Sequence, residues 1–225
     1  MRRARSRYAG AVPYAFDGVI FDLDGTLVDS LADIGLAMDA ALAGFGLPGH
    51  SLGAYRLMVG EGAAVLARRA SAGVDVDQPA LLEAYRAAYE ARAHRSTLSY
   101  PGIDELLGRL AADGVPMAVL SNKPDEFTRS LIDVRFPDIP FVAVAGQRPG
   151  VPRKPDPHAA LVLASALGVP AARIAFVGDT AVDVETARAA GMIAVGVRWG
   201  FRGEDELRAA GAAHLLSHPR DLLAL

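Results

Sequence analysis

The 225-residue chain contains no cysteine. That excludes a disulfide framework, a thiol nucleophile and thiolate metal ligation, and it suits a reducing compartment, so a cytoplasmic protein is expected. No apolar run approaches the roughly 18 residues that a membrane-spanning helix needs. Charge of one sign is also missing: 23 Lys and Arg stand against 26 Asp and Glu, a formal net charge of −3. Nothing therefore draws the chain as a whole to nucleic acid or to a membrane surface. Five histidines (His50, His94, His158, His214, His218) show no zinc spacing such as HExxH. A GxSxG elbow is absent too, which leaves a serine hydrolase without support.

What is present suffices for a large core. The chain is 52% hydrophobic and 22% charged, and a chain of this length buries roughly 70–75% of its unfolded surface without a staple. One large domain, or a domain with an insertion, is expected. The first residues, MRRARSRY, carry Arg2, Arg3, Arg5 and Arg7. Pro13, Tyr14 and Asp17 interrupt any signal-peptide run, so residues 1–15 read as a flexible basic leader, with organelle targeting as the alternative.

Four short apolar runs, Val19–Phe21, Val115–Leu120, Ile174–Val177 and Ile193–Val197, recur with helical spacing between them. Weaker runs at Phe141–Ala145 and His214–Leu216 add two candidate strands. Strands alternating with helices predict an α/β fold, a doubly wound parallel sheet of Rossmann-like type. Between Asp29 and Pro101 no strand is evident. Leu31, Ile34, Met38, Leu42 and Phe45 mark one helical face there, and Leu81, Leu82, Tyr85 and Tyr89 another. Ser30 with Asp33 reads as a capping box for the first of these helices. The prediction is a helical cap domain over residues 30–99, inserted into a core made of 16–29 and 100–225.

The predicted strands end in FDLDGT, LSNK and VGDT. Ligands of open parallel sheets bind outside the carboxyl ends of the strands, so Asp22, Asp24, Ser121, Asn122 and Asp179 should converge on one crevice. Asp183 follows Asp179 by one helical turn, and Lys154 in PRKPDPH supplies a cation. Taken singly, each has a plainer reading: a chance DxD pair, a helix cap, a turn residue, a solvated lysine, a first-turn acid complementing the helix dipole. The glycines of GFGLPG and GEGAAV follow no strand and read as helix breaks rather than as a dinucleotide loop.

FDLDGTLVDS, LSNK, KPDP and VGDTAVDVETARAAG together resemble, in order and spacing, the four motifs of the haloacid dehalogenase-like hydrolases. The resemblance runs from Phe16 to Leu225. With VGEGAAVLARRA and VGVRWGF, the chain is most similar to the phosphoglycolate phosphatase branch of that family, which carries a helical cap. The resemblance implies Asp22 as nucleophile, Asp24 as acid/base, and Ser121 and Lys154 as phosphate-binding residues beside Asn122. It implies Mg2+ held by Asp22, the main-chain carbonyl of Asp24 and Asp179, with Asp183 in support. The chemistry suits those residues, since Mg2+ takes carboxylate oxygens beside a substrate phosphate and a carboxylate can attack phosphorus.

The expected substrate is a small phosphorylated metabolite, 2-phosphoglycolate first. A sugar phosphate, nucleotide or pyrophosphate on the same scaffold is the alternative, by hydrolysis or phosphomutation. A cap cation is needed for a substrate carboxylate, and Arg68 is the candidate. Three acids and a phosphate outweigh one metal ion and Lys154, so Asp24 is expected to carry the proton for the leaving oxygen. A signalling module phosphorylated on Asp22 is the reading from another class, and a catalytically dead interaction protein a third. Asp24 and the cap argue against the switch, and the full set of acids and lysine against the dead scaffold. The sequence leaves monomer and homodimer open.

Overall fold

The structure, a computed structural model, describes residues 14–92 and 94–225. The expected leader lies outside the described residues except for Tyr14 and Ala15, and both are tied to the body. Tyr14 is buried against Phe16 and donates to Asp113 at 2.6 Å. The Ala15 N–H reaches the Leu225 carbonyl at 2.6 Å.

The first strand, β1 (Gly18–Phe21), leads to a two-residue strand, β2 (Val28–Asp29). Four helices follow: α1 (Leu31–Gly44), α2 (Leu52–Met58), α3 (Ala63–Ala70) and α4 (Gln78–Arg92). A second short strand, β3 (Leu98–Ser99), returns antiparallel to β2. The chain continues with α5 (Ile103–Ala112), β4 (Met117–Pro124), α6 (Asp125–Arg135), β5 (Phe141–Gln147), α7 (His158–Leu167) and β6 (Ile174–Gly178). It closes with α8 (Ala181–Ala189), β7 (Ile193–Val197), α9 (Glu204–Ala210) and β8 (His214–Leu216). Six strands form one sheet in the order β5-β4-β1-β6-β7-β8, and every neighbouring pair is parallel. This is the doubly wound α/β sheet that the alternating runs predicted.

The central strand shows why its sequence is continuously apolar. Val19 and Phe21 pack on one face with Leu106, Leu107 and Leu110 of α5. Ile20 points to the other face, among Leu163 of α7 and Val184 of α8. A strand covered on both sides has no face to spare for polar residues. The first polar side chains after it, Asp22 and Asp24, therefore appear where the sheet ends. There the chain crosses from β1 to β4 on one side and later to β6 on the other, the switch point at which such sheets open a crevice.

The inserted helices bury a cluster of their own. Ile34, Met38 and Leu42 of α1, Tyr55 of α2, Leu66 of α3, and Leu81, Tyr85 and Tyr89 of α4 pack together. Phe127 of α6 and Phe201, after β7, enter the same cluster from the body. Burying a side chain of that size stabilises by about 2–3 kcal/mol, so these two rings key the insertion onto the sheet.

Two local expectations differ from the structure. No strand was expected between Asp29 and Pro101, yet β3 lies there, because a two-residue strand is too short to show a period. Ser30 and Asp33 do not form a capping box. Ser30 Oγ donates to Asp24 Oδ1 at 2.5 Å. Asp33 instead accepts Arg92 Nε at 2.8 Å, Ser96 N–H at 2.9 Å and Thr97 Oγ1 at 2.7 Å. Long-range partners outcompete the local cap because Asp33 is wholly buried, and a buried carboxylate must be paired.

The seam between insertion and body runs through main-chain carbonyls. Arg202 donates to the carbonyls of Arg56, Leu57 (3.2 Å) and Val59 (2.7 Å). Arg56 returns a bond to the Gly200 carbonyl at 2.7 Å. Arg153 takes the Glu61 carbonyl at 2.9 Å and Asn122 the Gly60 carbonyl at 3.2 Å.

Candidate active site

Asp22 follows β1 directly, its N–H bonded to the Val177 carbonyl at 2.9 Å. Asp179 follows β6, and Asp183 lies in the first turn of α8. The three carboxylates are buried, and each offers an oxygen within 4.8 Å of the others. Lys154, on the loop before α7, places its ammonium between two of them, 2.7 Å from Asp22 Oδ1 and 2.6 Å from Asp183 Oδ1. Asp183 Oδ2 accepts the Thr180 N–H at 3.1 Å and its hydroxyl at 2.8 Å, which fixes the carboxylate at the helix start.

Asp179 is held on one side only. Its Oδ2 accepts the Phe201 N–H at 2.6 Å, while Oδ1 is buried without a hydrogen-bond partner. The space around it is set by glycine. Gly25, at φ +89°, lies where a Cβ would overlap the Asp179 carboxylate, and a Cβ at Gly200 would overlap its Cβ. An orphaned carboxylate oxygen beside two more acids is a donor set for a hard divalent cation, and the residues present fit Mg2+.

Burial pushes the Asp22 carboxyl up to about 7, against the pull of Lys154 and with Asp183 adding to the rise. Burial, then Asp183 and Asp22, also raises Asp179. Burial works against the Lys154 charge, but Asp183 and Asp22 outweigh it, so Lys154 stays an ammonium. Four ionisable groups thus share one buried spot with a deficit of positive charge, which a divalent cation would make good.

Above these residues is a small cavity of about 50 Å3. Asp22, Asp24 and Ser121 line its sheet end, and Ile34, Leu66 and Tyr85 its cap end, with Gly60 and Gly62 at the side. Ser121 Oγ accepts the Lys123 N–H at 3.2 Å, which leaves its hydroxyl proton to donate. Asn122, expected to bind substrate, also lines the cavity, and its amide is engaged within the protein. Its Oδ1 accepts the Lys154 N–H at 3.0 Å, and its Nδ2 donates to the carbonyls of Lys154 (3.1 Å) and Gly60 (3.2 Å). With those bonds the Asn122 amide clamps the Lys154 loop to Gly60 at the cavity wall.

Arg68 does not join the site. It is exposed on α3 and stands outside the cavity lining. Two residues along a helix turn about 200°, so with Leu66 facing inward Arg68 faces out. Its neighbour Arg69 is also engaged elsewhere, on Glu61 and on the Met58 carbonyl at 2.9 Å.

The residue that the sequence reading missed is Lys123. It lines the cavity, its side chain is 4% exposed, and its Nζ lies 2.9 and 3.1 Å from the two oxygens of Asp24. The same ammonium sits 4.5 Å above the Tyr89 ring. Burial opposes its charge, but Asp24 and the two tyrosines Tyr89 and Tyr85 more than offset it. Its place in LSNK is the available signal: a lysine at a strand exit, directly after Ser121 and Asn122.

A carboxylate cluster with a buried lysine, at the switch point of a doubly wound sheet and beneath inserted helices, marks an α/β enzyme with its site outside the strand ends. Residues 16–191 match the family described as haloacid dehalogenase-like hydrolase, and the chain belongs to that family. It is 38% identical over 223 residues to a phosphoglycolate phosphatase of Pseudomonas savastanoi pv. phaseolicola, covering 96% of this chain and 80% of that one. It is 33% identical to a phosphoglycolate phosphatase of Yersinia pestis, over 93% of this chain and 92% of that protein. Among solved structures, a predicted phosphoglycolate phosphatase from Haemophilus somnus superposes with a TM-score of 0.87 at 28% identity, covering 93% of this chain and 97% of that one. Among the described residues no helix is long and apolar enough to cross a membrane.

Proposed function

We propose that the protein is a Mg2+-dependent phosphomonoester hydrolase that works through an aspartyl phosphate on Asp22, with 2-phosphoglycolate as preferred substrate. The observation that carries this reading is Lys154 lodged between Asp22 and Asp183, with Asp179 Oδ1 left over beside them. The names of the relatives support the choice of substrate. Residues 30–99 act as the cap, and 16–29 with 100–225 as the catalytic body.

Mg2+, when bound by Asp22, Asp179 and Asp183, supplies positive charge to the phosphoryl oxygens. An Asp22 oxygen attacks phosphorus while Lys154 holds Oδ1 and Ser121 donates to the phosphoryl group. The bond from phosphorus to the ester oxygen breaks, and Asp24 gives that oxygen its proton. In the second half Asp24 takes a proton from water, the water oxygen bonds to phosphorus, and the Asp22 acyl-phosphate bond breaks. Apolar cap residues Ile34 and Leu66 exclude other water.

The test is phosphate release by the purified protein with Mg2+ across phosphoglycolate, sugar phosphates, nucleotides and pyrophosphate. The highest kcat/KM is expected for phosphoglycolate. A clear preference for another member overturns the substrate and leaves the phosphatase chemistry; no release from any of them overturns both.

A further inference from the structure

Lys123 is the only positively charged side chain lining the cavity among the described residues. Everything else at the cap end is apolar, aromatic or glycine, so an anion at the far end of a substrate has one place to pair. That place is taken. An ammonium has three N–H donors; both Asp24 oxygens lie within 3.1 Å of this one, and the Tyr89 ring covers it at 4.5 Å. With its donors on Asp24 and its face on Tyr89, the ammonium can receive a second carboxylate only if Asp24 lets go. Asp24 has another bond to turn on, the one from Ser30 Oγ at 2.5 Å.

We propose that Lys123 sets specificity by exchange: it holds the Asp24 carboxylate aside in the empty site, and the terminal carboxylate of a short substrate displaces Asp24, which takes up a proton from solvent as the ion pair breaks and then gives it to the leaving oxygen. The inference rests on the phosphatase reading above and names the group in that site that reads the leaving alcohol. Its consequence is that a distal negative charge raises the rate of the chemical step as well as the affinity. An uncharged substrate leaves Asp24 on Lys123 and gains nothing from it. A cation that merely attracted anions would act on KM alone.

The experiment compares phosphoglycolate with its uncharged amide, phosphoglycolamide, on the full-length protein with Mg2+. In the wild type the acid should exceed the amide at least tenfold in kcat at saturation, beyond any difference in KM. In Lys123→Gln, checked for folding by circular dichroism, the ratio of kcat/KM for acid over amide should fall at least tenfold. A preference confined to KM in the wild type overturns the exchange, and that measurement holds even if the variant does not fold. An unchanged ratio in folded Lys123→Gln overturns it equally. If the wild type hydrolyses the amide and other esters but shows no preference for the acid, the phosphatase reading stands and the role of Lys123 falls. If it hydrolyses nothing, both fall.

Discussion

Asp33, in the first turn of α1, accepts the guanidinium of Arg92, the last residue of α4, at 2.8 Å. The same carboxylate takes the Ser96 N–H and the Thr97 hydroxyl, so one side chain joins the chain's entry into the inserted helices to its exit from them. Burial acts to raise the Asp33 carboxyl, but the bonds from Thr97, Ser96 and Arg92 prevail and hold it below the ordinary range. Asp33→Asn should destabilise the protein by about 2–4 kcal/mol, since breaking a buried pair strands its partners. The sign of its pH dependence follows from the lowered value. The contribution is complete above the unfolded carboxylate value of about 3.9 and disappears as pH falls through the folded one. Urea unfolding of both proteins should show a gap at neutral pH that closes in acid; a gap constant with pH counts against the ion pair.

Asp22→Asn should reduce turnover by about a thousandfold or more, because an amide cannot form the acyl phosphate. Circular dichroism should report an intact fold. Acid-quenched wild type should yield a phosphorylated peptide containing Asp22, and the variant none. Near-normal phosphate release by the folded variant excludes the covalent route.

The acid cluster predicts a link between metal, pH and stability. Burial raises Asp22 to about 7 and Asp179 above its ordinary value, so the metal-free fold holds more protons than the unfolded chain. Its stability should therefore decline as pH rises toward about 7, where the carboxyls must ionise against one another. Mg2+ binds the ionised forms, so the rise in Tm that it gives should grow with pH through the same range. Thermal unfolding with Mg2+ and with chelator at several pH values measures this, and a shift that shrinks as pH rises sinks the assignment.

Gly25→Ala should cost about 1–3 kcal/mol, since alanine pays for the positive φ and its Cβ meets the Asp179 carboxylate. The displaced carboxylate should also weaken Mg2+ activation, visible as a higher metal concentration at half-maximal rate. An unchanged Mg2+ requirement in folded Gly25→Ala means that Asp179 is not a ligand.

The sheet was legible because a strand buried on both faces must be apolar throughout, as Val19, Ile20 and Phe21 are. The acids were legible because Asp22 and Asp179 interrupt such runs at their ends. Lys123 and Arg68 were not, and for the same reason: the sequence does not show which cation is turned inward. A lysine with a buried partner and one in water are spelled alike, and only the packing of Tyr89 and the position of Asp24 separate them. Ser30 with Asp33 shows a further limit. A spacing that satisfies a local motif yields when burial offers better partners from sixty residues away, as Ser96 and Thr97 do for Asp33.

The arginine seam has a consequence for variation. Arg202, Arg153 and Asn122 reach the stretch from Arg56 to Glu61 through its carbonyls, atoms that every amino acid possesses. Apart from Arg56, whose own side chain reaches the Gly200 carbonyl, and Gly60, at φ +115°, side chains in that stretch can be exchanged without touching those bonds. At its remaining positions the segment beside the cavity is thus open to rewriting for a different leaving alcohol while the carbonyl bonds that hold it stay the same, so new selectivity can be grafted there with little redesign of how the two parts meet.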